Sequence, residues 1–522
     1  YKGALYYVKS KIKTLYIPNV IKYIGSNLVG YDGQFGTSNE NVALEEILFD
    51  DKCSDMVVSH TAFQFCKKVS NISIPIGSIK YFNHDDMISN HFIFEDTAYY
   101  KNNRIEEGGC YYIFGILTES NQKNVNSDFA IKDGTTIIAN HAFTGNTNIK
   151  TIELPSSLKY IGKNAFACCG GLTSVAIPGS VTSIGEYAFQ YCRSLKTVTI
   201  PDGITSIKKG TFYNCTGLTD VTIGKNVENI ESGAFEYCKG LTSVTIPSSV
   251  SSITGNPFSE CKKLTSITVA DDNPSYMSKD GVLFEKNGET LLFCLQGKEG
   301  DYQIPDSVKS INSGAFFNCD KLTGITVPNS VTNIQEGTFF GCSNLTSIVI
   351  PNSVTSIGEA AFSRCRNLTQ MIIPDSVVSM GTQVFSECTE LKSVTLSKNM
   401  TAIPFDTFLS CKSLTSVTIP DGVTSISASA FNYCAALSSV TIPDSVAAIG
   451  WAAFSNCSAL TDVYYDGTEE QWKQVKIDNS NDENKCLNNA TIHFVQPEPQ
   501  PQPPVETSGT IAVSSVRARA GQ

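Results

Sequence analysis

Apolar residues along this chain follow two superimposed periods. Over short stretches they alternate, as Val198 and Ile200 do around Thr199, and such stretches return every 23 residues. Phe143, Phe166, Phe189, Phe212, Phe235 and Phe258 stand 23 residues apart, and so do Phe316, Phe339, Phe362, Phe385, Phe408, Phe431 and Phe454. The unit reads L-x-x-V-x-I-P-x-x-I-x-x-I-x-x-x-(A/T)-F-x-x-C, carried in one copy by Leu195, Val198, Ile200, Pro201, Ile204, Ile207, Thr211, Phe212 and Cys215. Alternation predicts a short strand with Val198 and Ile200 on one face and Thr199 on the other, and Pro201 ends it because it has no N–H to give a ladder. A second apolar pair, as in Val181 and Ile184, fits a turn or short extended segment on the opposite side, and a small residue plus Phe fills the interior. One coil cannot bury these groups alone. Stacking is therefore predicted, each apolar ring covering the next and parallel strands repeating at about 4.8 Å, so that roughly thirteen coils extend on the order of 60 Å.

The ends depart from the period. Residues 1–125 hold one unit at Ile12, Leu15, Ile17, Pro18 and Ile24 and another at Ala62, Phe63, Cys66, Val69, Ile72, Ile74 and Pro75, with long irregular stretches between. They read as irregular repeats that cap the core, the alternative being a separate binding module. Regular units fill 126–269 and 306–464. Between them, 270–305 reads as a hairpin insertion: Val282 to Glu285 and Thr290 to Phe293 flank Asn287-Gly288, a pair that tolerates positive φ. Residues 92 to 124 look like a worn version of it. In 465–495, a C-terminal cap, Thr468 caps a short helix with Gln471 at its third position, Trp472 and Val475 cover the last coil, and Thr491 to Phe494 closes the sheet. The Pro-rich segment 496–507 reads as a stiff spacer, and 508–522 as the opening strand of a β-sandwich, so the expectation is a fragment of a larger protein. The chain opens within the pattern, with any signal peptide removed or outside it.

The strings LTSVTIPSSVSSI and LTSIVIPNSVTSIGEAAFSRC resemble the BspA-type (Treponema pallidum-type) leucine-rich repeats of bacterial cell-surface proteins, also found in some protozoan parasites. The similarity spans roughly residues 125 to 495, and NPSYMSKDGVLFEKNGETLLFCLQGKEGDYQIP resembles an insertion of that family. The resemblance implies a curved right-handed leucine-rich-repeat solenoid with a parallel β-sheet face, mostly strand and coil, attached to the cell surface outside the cell. It also implies adhesion to an extracellular or host protein.

Composition narrows the choices. A net charge of −11 and a pI near 5.1, with no local Lys/Arg cluster, would repel phosphate backbones, so nucleic acid is not an expected partner. No apolar run approaches the ~20 residues of a membrane span, so no membrane insertion of this fragment is expected. Of 18 cysteines, Cys66, Cys169, Cys192, Cys215, Cys238, Cys261, Cys319, Cys342, Cys365, Cys388, Cys411, Cys434 and Cys457 sit three residues after the repeat Phe. They read as buried thiols giving a weak donor to a turn, inert rather than reactive. Cys53, Cys110, Cys168, Cys294 and Cys486 lie off that ladder, without paired C-x-x-C spacing. The histidines are scattered (His60, His84, His91, His141, His493), and His84 with Asp85 and Asp86 reads as a solvated loop rather than a metal site. No catalytic constellation, metal or cofactor is expected. Asn71, Asn214, Asn344, Asn367, Asn399, Asn456 and Asn489 begin N-x-S/T triplets, which arise by composition in a Ser/Thr-rich repeat.

The outward strand position is Thr199, Thr222, Thr245, Thr268 and Thr326, then Val349 and Ile372, then Thr395, Thr418, Thr441 and Tyr464. Threonine there favours strands and solubility. Val349, Gln370, Ile372, Thr395, Thr418 and Tyr464 are the candidate ligand-binding residues, because Ile372 marks an apolar patch on that face. Three functions remain: an adhesion or protein-interaction module; a carbohydrate-binding module using Tyr187, Tyr191, Tyr213, Tyr237 and Tyr433 on polysaccharide; and a stalk that displays neighbouring domains.

Overall fold

The computed structural model describes residues 125–494 without a break and, ahead of them, 13–17, 23–24, 45–49, 56–59, 69–73, 79–83, 102, 104–113 and 115–121. The sequence readings at Ala62, Phe63, Cys66, His84 to Asp86 and 496–522 lie outside the described residues.

The chain is a β-solenoid whose coils each supply two short strands to two parallel ladders. The first ladder takes the V-x-I strands. Thr197–Thr199 pairs in parallel with Asp220–Thr222, matching Val198 with Val221 and Thr199 with Thr222, one repeat apart. The second takes the S-I pairs, as where Ser206–Ile207 pairs with Asn229–Ile230 and then Ser252–Ile253. The second apolar pair thus forms a sheet of its own. In the first ladder, inward Val198, Val244 and Val417 are 3% exposed, while the threonines between the inward positions face solvent. Thr441 is only half-buried.

Between the ladders lies the core. The repeat phenylalanines form two columns, Phe143 to Phe258 and Phe316 to Phe454, with neighbouring centroids 5.0–5.6 Å apart and planes within 26°. Each Phe but Phe258 lies in a tight outer turn with a left-handed residue two positions on either side, such as Tyr187 (φ 55°) and Tyr191 (φ 59°) around Phe189. A non-glycine residue there costs roughly 1–2 kcal/mol. Stacking offsets it: the Tyr187 and Tyr191 N–H groups donate to Lys209 O and Tyr213 O of the next coil at 3.0 and 2.8 Å.

The ladder cysteines give the turn a further bond. Cys192 Sγ donates to Phe166 O at 3.2 Å, and the same bond recurs through Cys457 to Phe431 O at 3.1 Å, except at Cys319, where the insertion leaves Cys294 O at 3.8 Å instead. Burial pushes the Cys169 and Cys261 thiols up to about 12. Native-state alkylation followed by peptide mapping is therefore expected to mark exposed Cys168 and, more slowly, half-buried Cys486, and to reach ladder thiols such as Cys365 only after unfolding. Labelling of Cys365 in native protein at the rate of Cys168 would contradict this packing.

The insertion interrupts the columns. Val282–Glu285 pairs antiparallel with Thr290–Cys294 around Gly288 (φ 69°), and a third strand, Tyr276–Lys279, joins Val282–Glu285 on the other side. Thr290–Cys294 then re-enters the second ladder beside Ser310–Ile311. Phe293 and Tyr302 replace the repeat ring at tilts of 54° to Phe258 and 49° to Phe316. Side chains close the first block: the Tyr276 hydroxyl accepts from Ile253 N–H and donates to Ser251 O, while Asn273 Nδ2 donates to Pro247 O and Val250 O. Ile105–Glu107, Cys110–Ile113 and Ile116–Ser120 repeat the same antiparallel arrangement ahead of Ile137–Ile138.

One difference from the sequence reading stands out at the N-terminal end. A coil lies in the stretch read as irregular, its strands Glu46–Phe49 and Met56–Ser59. Glu46–Phe49 sits between Thr14–Ile17 and Asn71–Ser73 in a parallel sheet. At the other end the helix Glu469–Trp472 carries a full capping box from Thr468 and Gln471, Trp472 packs edge-on against Tyr465 at 5.0 Å, and Thr491–Phe494 pairs with Asp462–Tyr465. Fully buried Asn484 takes the place of a further coil: its Oδ1 accepts from Phe454 N–H at 3.0 Å, and its Nδ2 donates to Gly450 O and Asp478 O.

Candidate binding face

Alternation decides which side chains of the first ladder meet solvent. Ser347–Val349 pairs with Leu322–Thr326, placing Val349 beside Thr326, and Gln370–Ile372 pairs with Ser393–Thr395, placing Ile372 beside Thr395 and Gln370 beside Ser393. Inward Ile348 and Met371 are 8% and 2% exposed, which turns Val349 and Ile372 outward at 68% and 67%. Two branched aliphatic side chains therefore stand on successive coils in a row of hydroxyls.

The outward strand positions around them are uncharged, Thr326, Ser347, Gln370, Ser393, Thr395, Ser416 and Thr418 surrounding the pair, with exposed Lys392 just ahead of Ser393. Covering either aliphatic side chain fully would contribute about 1.5–3 kcal/mol, without desolvating an ion. Of the six candidates, Val349, Gln370, Ile372 and Thr395 share neighbouring coils, with Thr418 one coil beyond. Tyr464 stands apart, past Thr441, stacked on His493 at 4.8 Å. The His493 ring approaches Asp462 Oδ1 at 2.7 Å; that contact, with a bond from Thr461, holds the Asp462 carboxyl below its usual range.

Sequence reasoning missed other exposed apolar groups. Phe317 and Phe340 stack on the outer turns at 5.1 Å and 6°, with the Arg364 guanidinium 5.3 Å over Phe340. The doublets Phe316-Phe317 and Phe339-Phe340 were their signal, since one coil interior has room for one ring of each doublet. Val378 and Phe405, 58% and 43% exposed, had none. Three of the five tyrosines of the carbohydrate reading form a ribbon, Tyr191 to Tyr213 and Tyr213 to Tyr237 each edge-to-face at 5.6 Å, while Tyr433 stands exposed elsewhere. Arg193 and Lys239 lie 5.5 and 5.8 Å over the outer rings. Burial and the carboxylates of Glu236 and Glu260 raise the Tyr237 hydroxyl above its usual range.

His141 contacts Thr144 and Asn164 through its two ring nitrogens. Among the described residues no group of three His, Cys, Asp or Glu side chains is placed to hold a metal ion, and no helix is long and apolar enough to cross a membrane.

The sequence matches the family profile described as BspA type leucine rich repeat region, in six copies, over residues 120–241, 183–280, 293–412, 334–461 and 379–482. No curated protein matches it in sequence. Among solved structures it is similar to the pneumococcal vaccine antigen PcpA at 20% identity over 76% of this chain and 99% of that one, with a TM-score of 0.56, a likeness of fold. A leucine rich cell surface protein of Faecalibacterium prausnitzii shares 29% identity over 72% of this chain and 97% of its own, with a TM-score of 0.43. A leucine-rich repeat protein of Bacteroides ovatus shares 24% over 75% and 90%, with a TM-score of 0.48. With the profile covering most of the chain and every regular coil built to one pattern, the chain belongs to the BspA-type leucine-rich repeat proteins.

Proposed function

We propose that this chain is a surface-displayed adhesion module that binds an extracellular or host protein through the Val349–Ile372 region of its first ladder. The observation that carries the reading is the exposure of Val349 and Ile372 on successive coils, where the flanking coils place Thr326 and Thr395. An aliphatic patch in a hydroxyl-rich face offers a partner apolar contact at the centre and hydrogen bonds at the rim, the usual anatomy of a protein interface. Gln370, Thr395 and Thr418 supply that rim, and Tyr464 a separate aromatic contact. Family membership supports placement outside the cell, and a solenoid presents extended faces for binding.

The tyrosine ribbon favours polysaccharide less. Its edge-to-face rings spend their faces on one another, whereas a sugar needs an open ring face to stack on.

The test is a binding screen against extracellular-matrix proteins, host-cell surfaces and mucin or plant polysaccharides, repeated with Ile372→Asp. Saturable protein binding that weakens at least tenfold in the variant is expected, since a buried unpaired carboxylate is costly at an apolar contact. Polysaccharide binding indifferent to Ile372→Asp would move function to the outer turns, and silence throughout would leave the module as a stalk.

A further inference from the structure

The hairpin insertion does more than add strands: it prises the first ladder open. Ser266–Val269 ends one sheet and Gly300–Gln303 begins the next, with no ladder between these two successive strands. Their coils still meet at the base, where a side chain on Gly297 would lie 2.3 Å from Leu264 O. Beyond that point the hairpin tip wedges in. Gly281 O accepts from Leu295 N–H at 2.9 Å, and Lys298 Nζ is held on Asp280 O at 2.6 Å, over the Tyr302 ring. The wedge leaves an open cleft of about 750 Å³ lined by Thr265, Asp280, Lys298, Glu299, Asp301 and Gln303, with Gly297 and Tyr302 at its floor.

The two banks differ. On the Ser266–Val269 bank the Ser278 hydroxyl accepts from Val269 N–H at 3.2 Å, blunting that edge. The Gly300–Gln303 bank pairs only with Leu322–Thr326 on its far side. Ile304 N–H reaches away from the cleft to Thr326 O at 3.1 Å. Successive residues of a strand direct their main-chain groups to opposite sides, so Gln303 and Asp301 present theirs to the cleft. An uncovered edge is a template for another strand. Over Gly300–Gln303 that template runs for roughly 13 Å at 3.3 Å per residue.

Charge indicates what lies down there. Glu299 is paired with Lys321 at 2.7 Å, and Lys298, bonded to the Asp280 carbonyl, keeps its charge; against it stand the carboxylates of Asp280 and of Asp301, which accepts the Thr323 hydroxyl, so the lining stays net negative. We propose that this cleft is a second binding site, which takes an extended peptide segment of a partner protein as an added strand along Gly300–Gln303. Lysine or arginine at alternate positions of the peptide meets Asp280 and Asp301. Main-chain bonds supply affinity and the carboxylates supply specificity, the division of labour seen in strand addition generally. The site is independent of the Val349–Ile372 patch, and Ile372→Asp leaves it intact.

The test uses the full chain and an arrayed library of twelve-residue peptides in which Lys or Arg alternates with Val or Thr. The tightest member is then titrated in solution by fluorescence anisotropy. Gln303→Pro removes one N–H that faces the cleft and is not used by the fold, a change an edge strand tolerates. Saturable binding is expected in the wild type and is expected to weaken at least tenfold in Gln303→Pro, with an unchanged thermal midpoint. A probe N-methylated at alternate residues is expected to lose as much on the wild-type chain, and that arm decides the matter if Gln303→Pro proves unstable. Asp280→Asn with Asp301→Asn is expected to remove the preference for basic over neutral peptides. An array without a saturable binder, or equal affinity of wild type for the methylated and unmethylated probes, would overturn the proposal.

Discussion

Phe362→Ala is expected to lower stability by about 3–5 kcal/mol, read as a fall in the denaturation midpoint. Phe362 is fully buried and stacks on two rings, Phe339 at 5.4 Å and 14° and Phe385 at 5.6 Å and 8°. Truncation removes both ring contacts, each contributing about 0.5–1.5 kcal/mol beyond its buried area, and leaves a void that neighbouring coils cannot close without breaking their own register. Because a solenoid's energy is close to a sum of coils and their nearest interfaces, protection from hydrogen exchange is expected to fall first in the coils of Phe339 and Phe385, not along the whole rod. Phe258→Ala makes a useful comparison, since its ring stacks closely on Phe235 alone and meets Phe293 at a 54° tilt. A loss under about 1 kcal/mol at Phe362 would mean that the ladders, not the ring column, hold the coils together.

Asn484→Ala is expected to cost on the order of 4 kcal/mol through a different route, by exposing the end of the stack. One side chain satisfies three main-chain groups, Phe454 N–H, Gly450 O and Asp478 O, at 3.0, 3.0 and 2.7 Å. Each buried group left unpaired costs about 1–3 kcal/mol. Asn484→Asp keeps the acceptor toward Phe454 and loses both donations, so it is expected to fall no less far. Hydrogen exchange at Phe454 N–H is the sensitive readout. An exchange rate unchanged in Asn484→Ala would show that the cap is covered by other means.

The period made the solenoid legible because every coil solves the same burial problem with the same residues. Alternation around Ile348 and Met371 gave the outward direction of Val349 and Ile372 directly. The sulfur ladder was likewise readable from spacing, and Cys192 and Cys457 donate to turn carbonyls as expected. What stayed hidden rests on single side chains standing in for absent backbone. Nothing in a lone Asn484, or in Tyr276 bonding Ile253 N–H and Ser251 O, marks a residue that finishes a sheet. The coil at Glu46–Phe49 escaped because it lacks the I-P punctuation that gives strands their boundary elsewhere. The cleft at Gly300–Gln303 was hidden for a third reason: a hairpin signal predicts strands within itself, not a break in the strands on either side.

The match of each strand to its equivalent 23 residues away has a genetic corollary. A coil such as that of Thr418 presents to its neighbours nearly the same surface above and below, so loss or duplication of one whole unit creates an interface already in use. Recombination between the segments that encode such units would change the length of the rod in integral steps while sparing its two specialised ends. Sequence drift at the outward strand positions could then alter what the rod touches without disturbing how it stands.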